Sequence, residues 1–521
     1  MKGKIIIFFI IIEILYGNGL KCGNGIKNNK PMGIAKIINE SNKRLLNNEF
    51  EPMKIKVDYT QLKIDTKDYE DIFEIIKTSL DLAIHYFELL LSVKKATIEP
   101  VSSETYKDYC NIDNVDNDSI NWFTNYDLIL FPSFDKNPED KKVYASASPC
   151  VMMVAGGAEK RPLAGRIYIN NNYDYNKENI IVFLQTILFH EITHILVFDP
   201  YLLRIFGAIK TEIIDNETRF YIISPLALEK ARLHFGCDNL KGIPLEDQGD
   251  EGSAGSHWEG RYMLGDYMVS TNYHENTISD ITLALFEDSG WYKVNYYTGG
   301  LFRFGKNKGC EFFKKDCIID QKATFSEFCH KSREPKCLAS HLSHGECYIG
   351  DYKEESIPEK YQYFKKGSLG GLLNVNYCPT ADSYFKSDYK NKYYFETNCR
   401  YGPTLNLFSH YGEVIGNKSL CFESSLVPRY SPQPYKWRSI CYKMTCDRAN
   451  KNIMVYIDDL NVTCPYSGGI LKKIDGFKGT INCPEYNMVC TSEIWCNEMF
   501  ECIDRKSETD YSTYINYKSN N

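Results

Sequence analysis

Apolar and polar residues follow strand-like and helix-like periods in the first 200 residues. In residues 53–62, MKIKVDYTQL, the apolar Met53, Ile55 and Val57 alternate with charged residues, and this period of two predicts a strand. Residues 69–92 instead repeat apolar positions at the spacing of one helix face, which predicts a long amphipathic helix. Further strands are predicted over residues 126–134 and 166–170.

A second helix is predicted over residues 178–198, ENIIVFLQTILFHEITHILVF, which contain neither proline nor glycine. The chain then changes character, because fifteen of its 19 cysteines lie between Cys310 and Cys502. A length of 521 residues allows two to four domains. We therefore predict an α+β unit that carries the second helix, followed by a disulfide-rich domain of mostly strands and loops.

Composition narrows the classes of function. A hydrophobic content of 43% and a charged content of 25% are those of an ordinary folded protein. The net charge of -7 provides no basic surface, so no nucleic acid partner is expected. The 19 cysteines are typical of a disulfide-bonded protein from an oxidising compartment.

Residues 1–19 have the pattern of a secretory signal peptide, because Lys2 and Lys4 precede an apolar run that ends near Gly17 and Gly19. The alternative is a membrane anchor, but a span requires roughly 20 apolar residues and the run is shorter. No other transmembrane segment is evident, and the polar C-terminal residues lack the hydrophobic tail of a lipid-anchor signal. We expect a secreted, extracellular protein. Five sequons for N-glycosylation agree with this, at Asn39, Asn117, Asn216, Asn417 and Asn461.

The helix at 178–198 carries the main chemical signal. His190 and His194 are one turn apart, so both imidazoles can reach one ion from the same helix face. Glu191, about 100° round the helix, can contact a water on that ion without ligating it. A zinc ion there would lower the pKa of the water, Glu191 would take the proton, and the hydroxide would attack a polarised carbonyl. The alternative is two histidines placed by chance in a buried helix.

A catalytic zinc ion also needs a third protein ligand, for which the sequence offers several candidates. Glu217, 23 residues after His194, would serve if the ligand were a glutamate, but it lies in a sequon and in a stretch that resembles a loop. The histidine candidates are His234, His257 and His274. His257 has the most unusual surroundings, because the small residues before it let the backbone approach closely.

Several segments together resemble the leishmanolysin-type metalloproteases, a branch of the metzincins. The matching segments are HEITH, GSHWE, GDYMVS with the Met-turn, and ISDITLALFEDSGWYKVNY at 278–296, and the cysteine-rich tail fits as well. The resemblance covers most of the chain from about residue 50 onward. It implies a metzincin-type catalytic domain with an active-site helix, followed by the disulfide-rich C-terminal domain.

The resemblance also implies roles for individual residues. One catalytic zinc ion would be held by His190, His194 and His257, a set of three imidazoles with one open position that suits zinc best. Glu191 would be the general base, and Met268 would lie beneath the zinc ion. His234 and His274 would then be surface or structural histidines.

The same resemblance suggests how the chain is divided. The expected parts are a signal peptide (1–19), a short pro-segment or flexible arm (20–50), an N-terminal catalytic subdomain with the HExxH helix (51–198), a central subdomain with the third histidine and the Met-turn (199–305), and a Cys-rich C-terminal domain (306–521).

Val197 departs from the family, which has a glycine three residues after the second histidine, where the helix ends and the chain bends. Glycine permits a left-handed backbone there, which a β-branched residue resists at a cost of about 1–2 kcal/mol. We expect either a helix that continues to Asp199 and Pro200 or a strained turn. Neither need remove the third ligand, because His257 comes from a distant segment.

An odd number of cysteines leaves at least one unpaired or paired between chains. By analogy with the family, Cys110 is expected to pair with Cys150 and Cys237 with Cys310, and the fourteen later cysteines could form seven more bridges. Cys22 then remains as the candidate for the family's pro-segment cysteine, whose thiolate occupies the open zinc position in the zymogen. Its segment, KCGNG, matches the family poorly, so a free or dimer-forming Cys22 is the alternative.

The sequence therefore predicts a secreted zinc metalloendopeptidase that hydrolyses peptide bonds in protein or peptide substrates. A first alternative is a catalytically weak or inactive relative that serves as an adhesion or binding protein, although such a protein would not need Glu191. A second alternative is a zinc peptidase that uses Glu217 in place of His257. The sequence does not determine the cleavage specificity, the oligomeric state or the physiological role.

Overall fold

The computed structural model describes most of the chain between residues 32 and 503. The described residues are 32–37, 50–135, 143–155, 158–171, 175, 180–214, 216–248, 253–270, 276–296, 302–352, 357–383, 397–399, 411–416, 418–432, 436–490, 495–497 and 501–503. The predicted signal peptide at 1–19, Cys22, His274 and the sequons at Asn39 and Asn417 lie outside them.

The first part of the chain mixes strands and helices and ends with the helix that carries the paired histidines. Its elements are β1 (Gly33–Lys36), β2 (Phe50–Pro52), β3 (Ile55–Val57), α1 (Thr60–Asp65), α2 (Glu70–Leu90), β4 (Leu91–Lys94), α3 (Ser103–Cys110), β5 (Leu128–Phe134), β6 (Ala145–Ala155), β7 (Ala158–Ile169) and α4 (Ile180–Leu196). The predicted helices at 69–92 and 178–198 are thus confirmed as α2 and α4. The strand predicted over 53–62 is correct only for Ile55–Val57, because Asp58 accepts a hydrogen bond from the Thr60 N–H (2.9 Å) and the chain then turns into α1.

Five strands form one sheet, in the order β1-β6-β7-β5-β3. Strands β3, β5 and β7 run parallel, and β6 runs antiparallel to β7. Successive residues of β5 enter different cores: Leu128 and Leu130 pack with α2 and α4, whereas Ile129 and Phe131 pack with α3. The sheet is therefore buried on both faces, as the nearly continuous apolar sequence of β5 requires.

Helix α4 lies directly against the sheet at Gly165 of β7. A Cβ atom at Gly165 would lie only 2.4 Å from Cγ2 of Ile195, so the close approach depends on glycine. On its other side α4 packs on α2, where the rings of Phe87 and Phe189 stack with centroids 4.2 Å apart. These two contacts fix the position of α4, and with it the position of the histidines.

Strand β1 lies within the segment expected to be a pro-segment or flexible arm. Gly33–Lys36 pairs in parallel with β6, and the Ile37 N–H and the Lys36 carbonyl make further backbone hydrogen bonds at its end. This strand was not predictable from the apolar pattern, because the two residues that face inward are the small Gly33 and Ala35.

The middle of the chain contributes helices and short strands around the end of α4. Its elements are α5 (Pro200–Ile205), β8 (Ile209–Ile214), β9 (Glu217–Ile222), α6 (Pro225–Phe235), β10 (Ile243–Pro244), α7 (Gly260–Met263), α8 (Asp280–Asp288) and β11 (Tyr292–Val294). Helices α6 and α8 and the segment around Trp258 share the apolar core of α2 and α4.

The rest of the chain consists mainly of short strands. They are β12 (Ile318–Ile319), β13 (Lys322–Ala323), β14 (Pro335–Cys337), β15 (His344–Cys347), β16 (Gly350–Asp351), β17 (Leu369–Gly370), β18 (Ala381–Ser383), β19 (Ser419–Ser424), β20 (Val427–Pro428), β21 (Arg438–Asp447), β22 (Asn452–Ile457), β23 (Leu460–Cys464), β24 (Gly469–Lys472), β25 (Phe477–Lys478), β26 (Thr480–Cys483), β27 (Trp495–Asn497) and β28 (Glu501–Ile503), with one short helix, α9 (Tyr486–Val489). A six-stranded sheet, β23-β22-β21-β19-β26-β24, has a core of its own, whereas Phe312, Phe328 and Val375 belong to the core around α4.

Disulfides join segments in all three parts of the chain. Both pairs expected by analogy are present, Cys110–Cys150 and Cys237–Cys310. The other described bridges are Cys317–Cys378, Cys329–Cys347, Cys337–Cys421, Cys399–Cys441, Cys446–Cys490 and Cys464–Cys483. Across the described residues, none of the helices combines the length and the apolar character that a membrane crossing requires.

Candidate metal centre

Three histidine rings meet at the inner face of α4. The Nε2 atom of His190 lies 2.9 Å from Nε2 of His194 and 3.2 Å from Nε2 of His257. His190 and His194 are one turn apart on α4, and His257 comes from the segment between β10 and α7. All three side chains are buried. The structure therefore brings together the three residues that the resemblance implied as ligands.

The other nitrogen of each ring is held by a backbone carbonyl. Nδ1 of His190 lies 2.6 Å from the Tyr267 oxygen, Nδ1 of His194 lies 2.7 Å from the Phe198 oxygen, and Nδ1 of His257 lies 3.1 Å from the Ser253 oxygen. A carbonyl can only accept a hydrogen bond, so each Nδ1 carries the proton and each Nε2 presents a lone pair.

Three lone pairs that face one another at about 3 Å repel unless a cation lies between them. Neutral imidazoles with Nε2 directed at one point, and Nδ1–H held by a carbonyl, are the usual donor arrangement around a transition metal. The residues present thus fit a metal ion, and a set of three imidazoles fits zinc.

Burial keeps these rings neutral. It lowers the pKa of His190 to about 4 and the pKa of His257 to about 3, and it lowers the pKa of His194 well below its usual value. The neighbouring histidines lower the pKa values of His194 and His257 further. At neutral pH all three are therefore in the deprotonated form that binds a metal ion.

Glu191 directly follows His190 on α4 and is fully buried. Its place on the helix differs from that of the two histidines, since each residue advances about 100°. A carboxylate in this position can act on a molecule bound at the three Nε2 atoms while the imidazoles remain the ligands.

The bend after α4 is formed without the family's glycine. The helix ends at Leu196, and the N–H groups of Val197 and Phe198 both donate to the Thr193 carbonyl (2.9 Å each). Val197 is absent from the described residues with positive φ, so its backbone is not left-handed. The chain then enters α5. Asp199 caps the N-terminus of this helix, because its carboxylate accepts a hydrogen bond from the Tyr201 N–H (2.8 Å). This bend directs the Phe198 carbonyl at His194.

Met268 is buried in a tight segment behind the histidines. Its carbonyl accepts a hydrogen bond from the Trp258 N–H (3.0 Å), which joins the segment to the residue after His257. Tyr267, the preceding residue, supplies the carbonyl that holds His190. This role of Tyr267 could not be predicted from the sequence, because every residue has a backbone carbonyl and its direction depends on the fold.

Two other candidate ligands, Glu217 and His234, lie elsewhere. Glu217 is at the start of β9, next to the hairpin residue Asn216, and it pairs with Arg219 (2.8 Å) and Lys360 on the exposed surface. His234 stacks on Phe302, and its Nε2 donates to a backbone carbonyl. The stretch around Glu217, which resembled a loop, is thus the tip of a hairpin.

Two further groups of potential ligands lie among the described residues. Cys399 and Cys441 lie near His344, but they are joined in a disulfide and offer no thiolate. The acidic Glu246, Asp247 and Glu259 lie close together, and Arg219 forms an ion pair with Asp247. Glu246 also connects to the histidine site, since its N–H donates to the His257 carbonyl (2.9 Å).

Curated proteins of known families resemble this chain over much of its length. It is 28% identical over 393 residues to a leishmanolysin homolog from Crithidia fasciculata, a match that covers 71% of this chain and 56% of that protein. It is 31% identical over 307 residues to a leishmanolysin-like peptidase from Drosophila pseudoobscura pseudoobscura, which covers 52% of this chain and 44% of that protein. It is 26% identical over 392 residues to the leishmanolysin of Leishmania major, a match that covers 71% of this chain and 61% of that protein.

The chain thus spans about half the length of the curated relatives it matches, or somewhat more. The model of the leishmanolysin family (peptidase family M8) matches residues 60–496, which include α4, the segment of His257 and most of the cysteine-rich region. Because this match covers well over half of the chain, the protein belongs to the leishmanolysin family.

Proposed function

We propose that this protein is a zinc-dependent metalloendopeptidase that hydrolyses peptide bonds in proteins and peptides. The observation that carries the proposal is the convergence of three Nε2 lone pairs, from His190, His194 and His257, beside the buried carboxylate of Glu191. A structural zinc site would have four protein ligands, whereas three ligands leave a position for water or substrate. The names of the related peptidases agree with this activity.

We further propose that the site has a metzincin-type arrangement. His190, His194 and Glu191 lie on one helix, and His257 follows in a distant segment. Met268 is buried beside Tyr267, whose carbonyl contacts His190. In this arrangement His190, His194 and His257 would hold one zinc ion. When bound, zinc would polarise the substrate carbonyl and make a water molecule more acidic.

Glu191 has two tasks in this proposal. It accepts a proton from the water that attacks the carbonyl carbon, and it then delivers that proton to the leaving amine nitrogen as the C–N bond breaks. One water is consumed, and a carboxylic acid and an amine are formed. The carbonyls of Tyr267, Phe198 and Ser253 keep the three imidazoles in one tautomer and one orientation throughout.

Secretion is part of the proposal. Eight described disulfides need an oxidising compartment to form and persist, and this supports an extracellular location for the proposed enzyme. Two of the sequon asparagines, Asn216 beside a hairpin tip and Asn461 on the edge strand β23, are exposed and suit glycosylation.

We also propose that the N-terminal segment keeps the enzyme silent until it is removed, with Cys22 as the inhibitory zinc ligand. A thiolate binds zinc well and would occupy the position that water needs. Cys22→Ser would then raise the activity of the unprocessed protein to that of the processed form. Unchanged latency in Cys22→Ser would refute this role for Cys22.

The central experiment compares wild type with Glu191→Gln. Both proteins lack the N-terminal segment that contains Cys22. Glutamine keeps the size of the side chain but cannot take a proton. We expect both proteins to bind one equivalent of zinc and only wild type to cleave an unfolded protein substrate. Cleavage by Glu191→Gln at the wild-type rate would refute the role of the base.

Two outcomes of this experiment point elsewhere. If both proteins bind zinc but neither cleaves any of a panel of unfolded substrates, the proposed peptidase activity is refuted. A binding or adhesion protein is then favoured. The variants His257→Ala and Glu217→Ala separate the two candidate third ligands, since only loss of the true ligand abolishes zinc binding.

A further inference from the structure

A buried carboxylate behind the histidines has no part in the reaction described above. Asp266 is fully buried, in the segment that leads to Met268. One carboxylate oxygen accepts the Met268 N–H (2.8 Å), and the other accepts the Ser279 N–H (3.2 Å) and the Thr282 hydroxyl (2.9 Å). Burial of a carboxylate is costly unless hydrogen bonds and nearby dipoles compensate for it. The three donors and the N-terminus of α8, which begins at Asp280, provide that compensation.

The network continues from Asp266 toward the third histidine. Thr282 donates its hydroxyl proton to Asp266 and accepts a hydrogen bond from the indole N–H of Trp258 (2.7 Å). Trp258 is the residue directly after His257, and its side chain is completely buried. Through Thr282, Asp266 therefore fixes the indole next to His257.

The same residue fixes the supports of the other two histidines. Asp266 is adjacent to Tyr267, whose carbonyl lies 2.6 Å from Nδ1 of His190. The Trp258 indole packs edge-on against the ring of Phe198 at 4.9 Å, and the Phe198 carbonyl holds His194. Asp266 is thus connected to the carbonyls that orient His190 and His194, and to Trp258, the residue directly after His257.

We propose that Asp266 is a positioning residue that holds the three histidines in one arrangement through the Tyr267 carbonyl and the Trp258 indole. The inference rests on the metal site of the proposed function, but it does not depend on which substrate is cleaved. An asparagine could not replace Asp266, because its amide nitrogen is a donor and would meet one of the three donors that the carboxylate now accepts. The two backbone donors belong to the Met268 turn and to the start of α8, so the mismatch would move one of these elements.

The test uses Asp266→Asn and Thr282→Val in the chain without the N-terminal segment that contains Cys22. Thr282→Val keeps the shape of the side chain and removes the hydroxyl that links Asp266 to Trp258 and that also accepts a hydrogen bond from the Ser279 hydroxyl (3.3 Å). Asp58→Asn is the matched control, because Asp58 is also buried and accepts two backbone N–H bonds, from Thr60 (2.9 Å) and Asp116 (3.0 Å), but lies in the β3–α1 connection.

Zinc affinity is measured by competition with a chelator, and the ligand arrangement by the visible absorption of the cobalt-substituted protein. We expect Asp266→Asn and Thr282→Val to weaken zinc binding by about 10- to 100-fold, the usual effect of groups that orient ligands, and to shift the cobalt bands. Asp58→Asn should lower the unfolding temperature of the zinc-free protein without changing either metal readout. A purely structural Asp266 would behave like Asp58.

Unchanged zinc affinity and cobalt spectrum in folded Asp266→Asn would overturn the inference. If Asp266→Asn does not fold, Thr282→Val decides by the same two readouts. Wild type that binds zinc but cleaves nothing would refute the proposed function and leave this test intact, whereas wild type that binds no zinc would refute both.

Discussion

The contact between Gly165 and Ile195 gives a sharp prediction about how the sheet positions the candidate metal ligands. In Gly165→Ala, the new Cβ would lie 2.4 Å from Cγ2, 2.6 Å from Cδ1 and 2.7 Å from Cγ1 of Ile195. Carbon atoms in contact are normally about 3.5–4.0 Å apart, so the overlap is about 1 Å with three atoms of one side chain. Ile195 sits in the last turn of α4 and directly follows His194, so relief of the overlap must move the ligand helix.

The expected magnitude follows from the size of that overlap. Overpacking of a well-packed core costs about 1–3 kcal/mol in the free energy of unfolding. A displacement of α4 by about 1 Å would also misplace His194, and errors of this size in a catalytic arrangement can lower the rate about 100-fold. We therefore expect Gly165→Ala to weaken zinc binding and lower kcat/KM more than its loss of stability alone would explain.

The assay combines urea unfolding, zinc competition and hydrolysis of a peptide substrate. Gly416→Ala is the matched control, because a Cβ there would meet nothing within 4 Å. Ile195→Ala alone should cost about 2–5 kcal/mol through the cavity it leaves, but in the double variant the new methyl group partly fills that cavity. The two single effects should thus be non-additive. Wild-type stability and activity in Gly165→Ala, or strict additivity in the double variant, would refute the reasoning.

Three further predictions concern the bend, the histidines and the metal ion. Val197→Gly should lower the free energy of unfolding by about 2 kcal/mol, because Val197 is fully buried. It should not raise activity, because the backbone at Val197 is not left-handed and gains nothing from glycine. A variant that is more active and has wild-type stability in urea unfolding would contradict this. The zinc-free protein should lose stability as the pH falls below about 6.5, because the histidines bind protons more readily in the unfolded chain than in the folded one. For His190, a folded pKa of about 4 corresponds to a loss of at most about 3 kcal/mol in the free energy of unfolding. The difference in unfolding free energy between wild type and His190→Gln isolates this effect, and a difference independent of pH between 7 and 4 would argue against it. Removal of zinc by a chelator should lower the unfolding temperature, with a loss of about 2.7 kcal/mol if free zinc had been at 100 times Kd; calorimetry should show this response in Glu217→Ala and not in His257→Ala.

Local elements of the fold were predictable where one period persisted over many residues. The apolar spacing of 69–92 and the uninterrupted run of 178–198 predicted α2 and α4 to within two residues at each end. Short elements were not predictable in this way. Strand β1 buries only Gly33 and Ala35, and helix α1 begins where the Asp58 side chain accepts a hydrogen bond from the Thr60 N–H, so neither leaves a periodic pattern.

The candidate site divides along the same line. His190, Glu191 and His194 lie within five residues, so the geometry of a single helix is enough to place two imidazoles on one ion. Residue reasoning alone left Glu217, His234, His257 and His274 open as third ligands, and the resemblance to a family was needed to prefer His257. Nothing in the sequence singled out the Tyr267 carbonyl or the role of Asp266.

By itself, the sequence determined the paired histidines with the adjacent Glu191, the helix that carries them and the cysteine-rich character of the second half, because each is a local pattern or a composition. The tertiary structure decided which residue lies beside the pair, since His257 is 67 residues from His190. Backbone hydrogen bonds from Trp258 to Met268 and from Glu246 to His257 hold its segment in place. The tertiary structure also decided which cysteines pair, and it placed three carbonyls at the three Nδ1 atoms. Such contacts depend on how distant segments pack, and packing joins residues whose identities give no sign of each other.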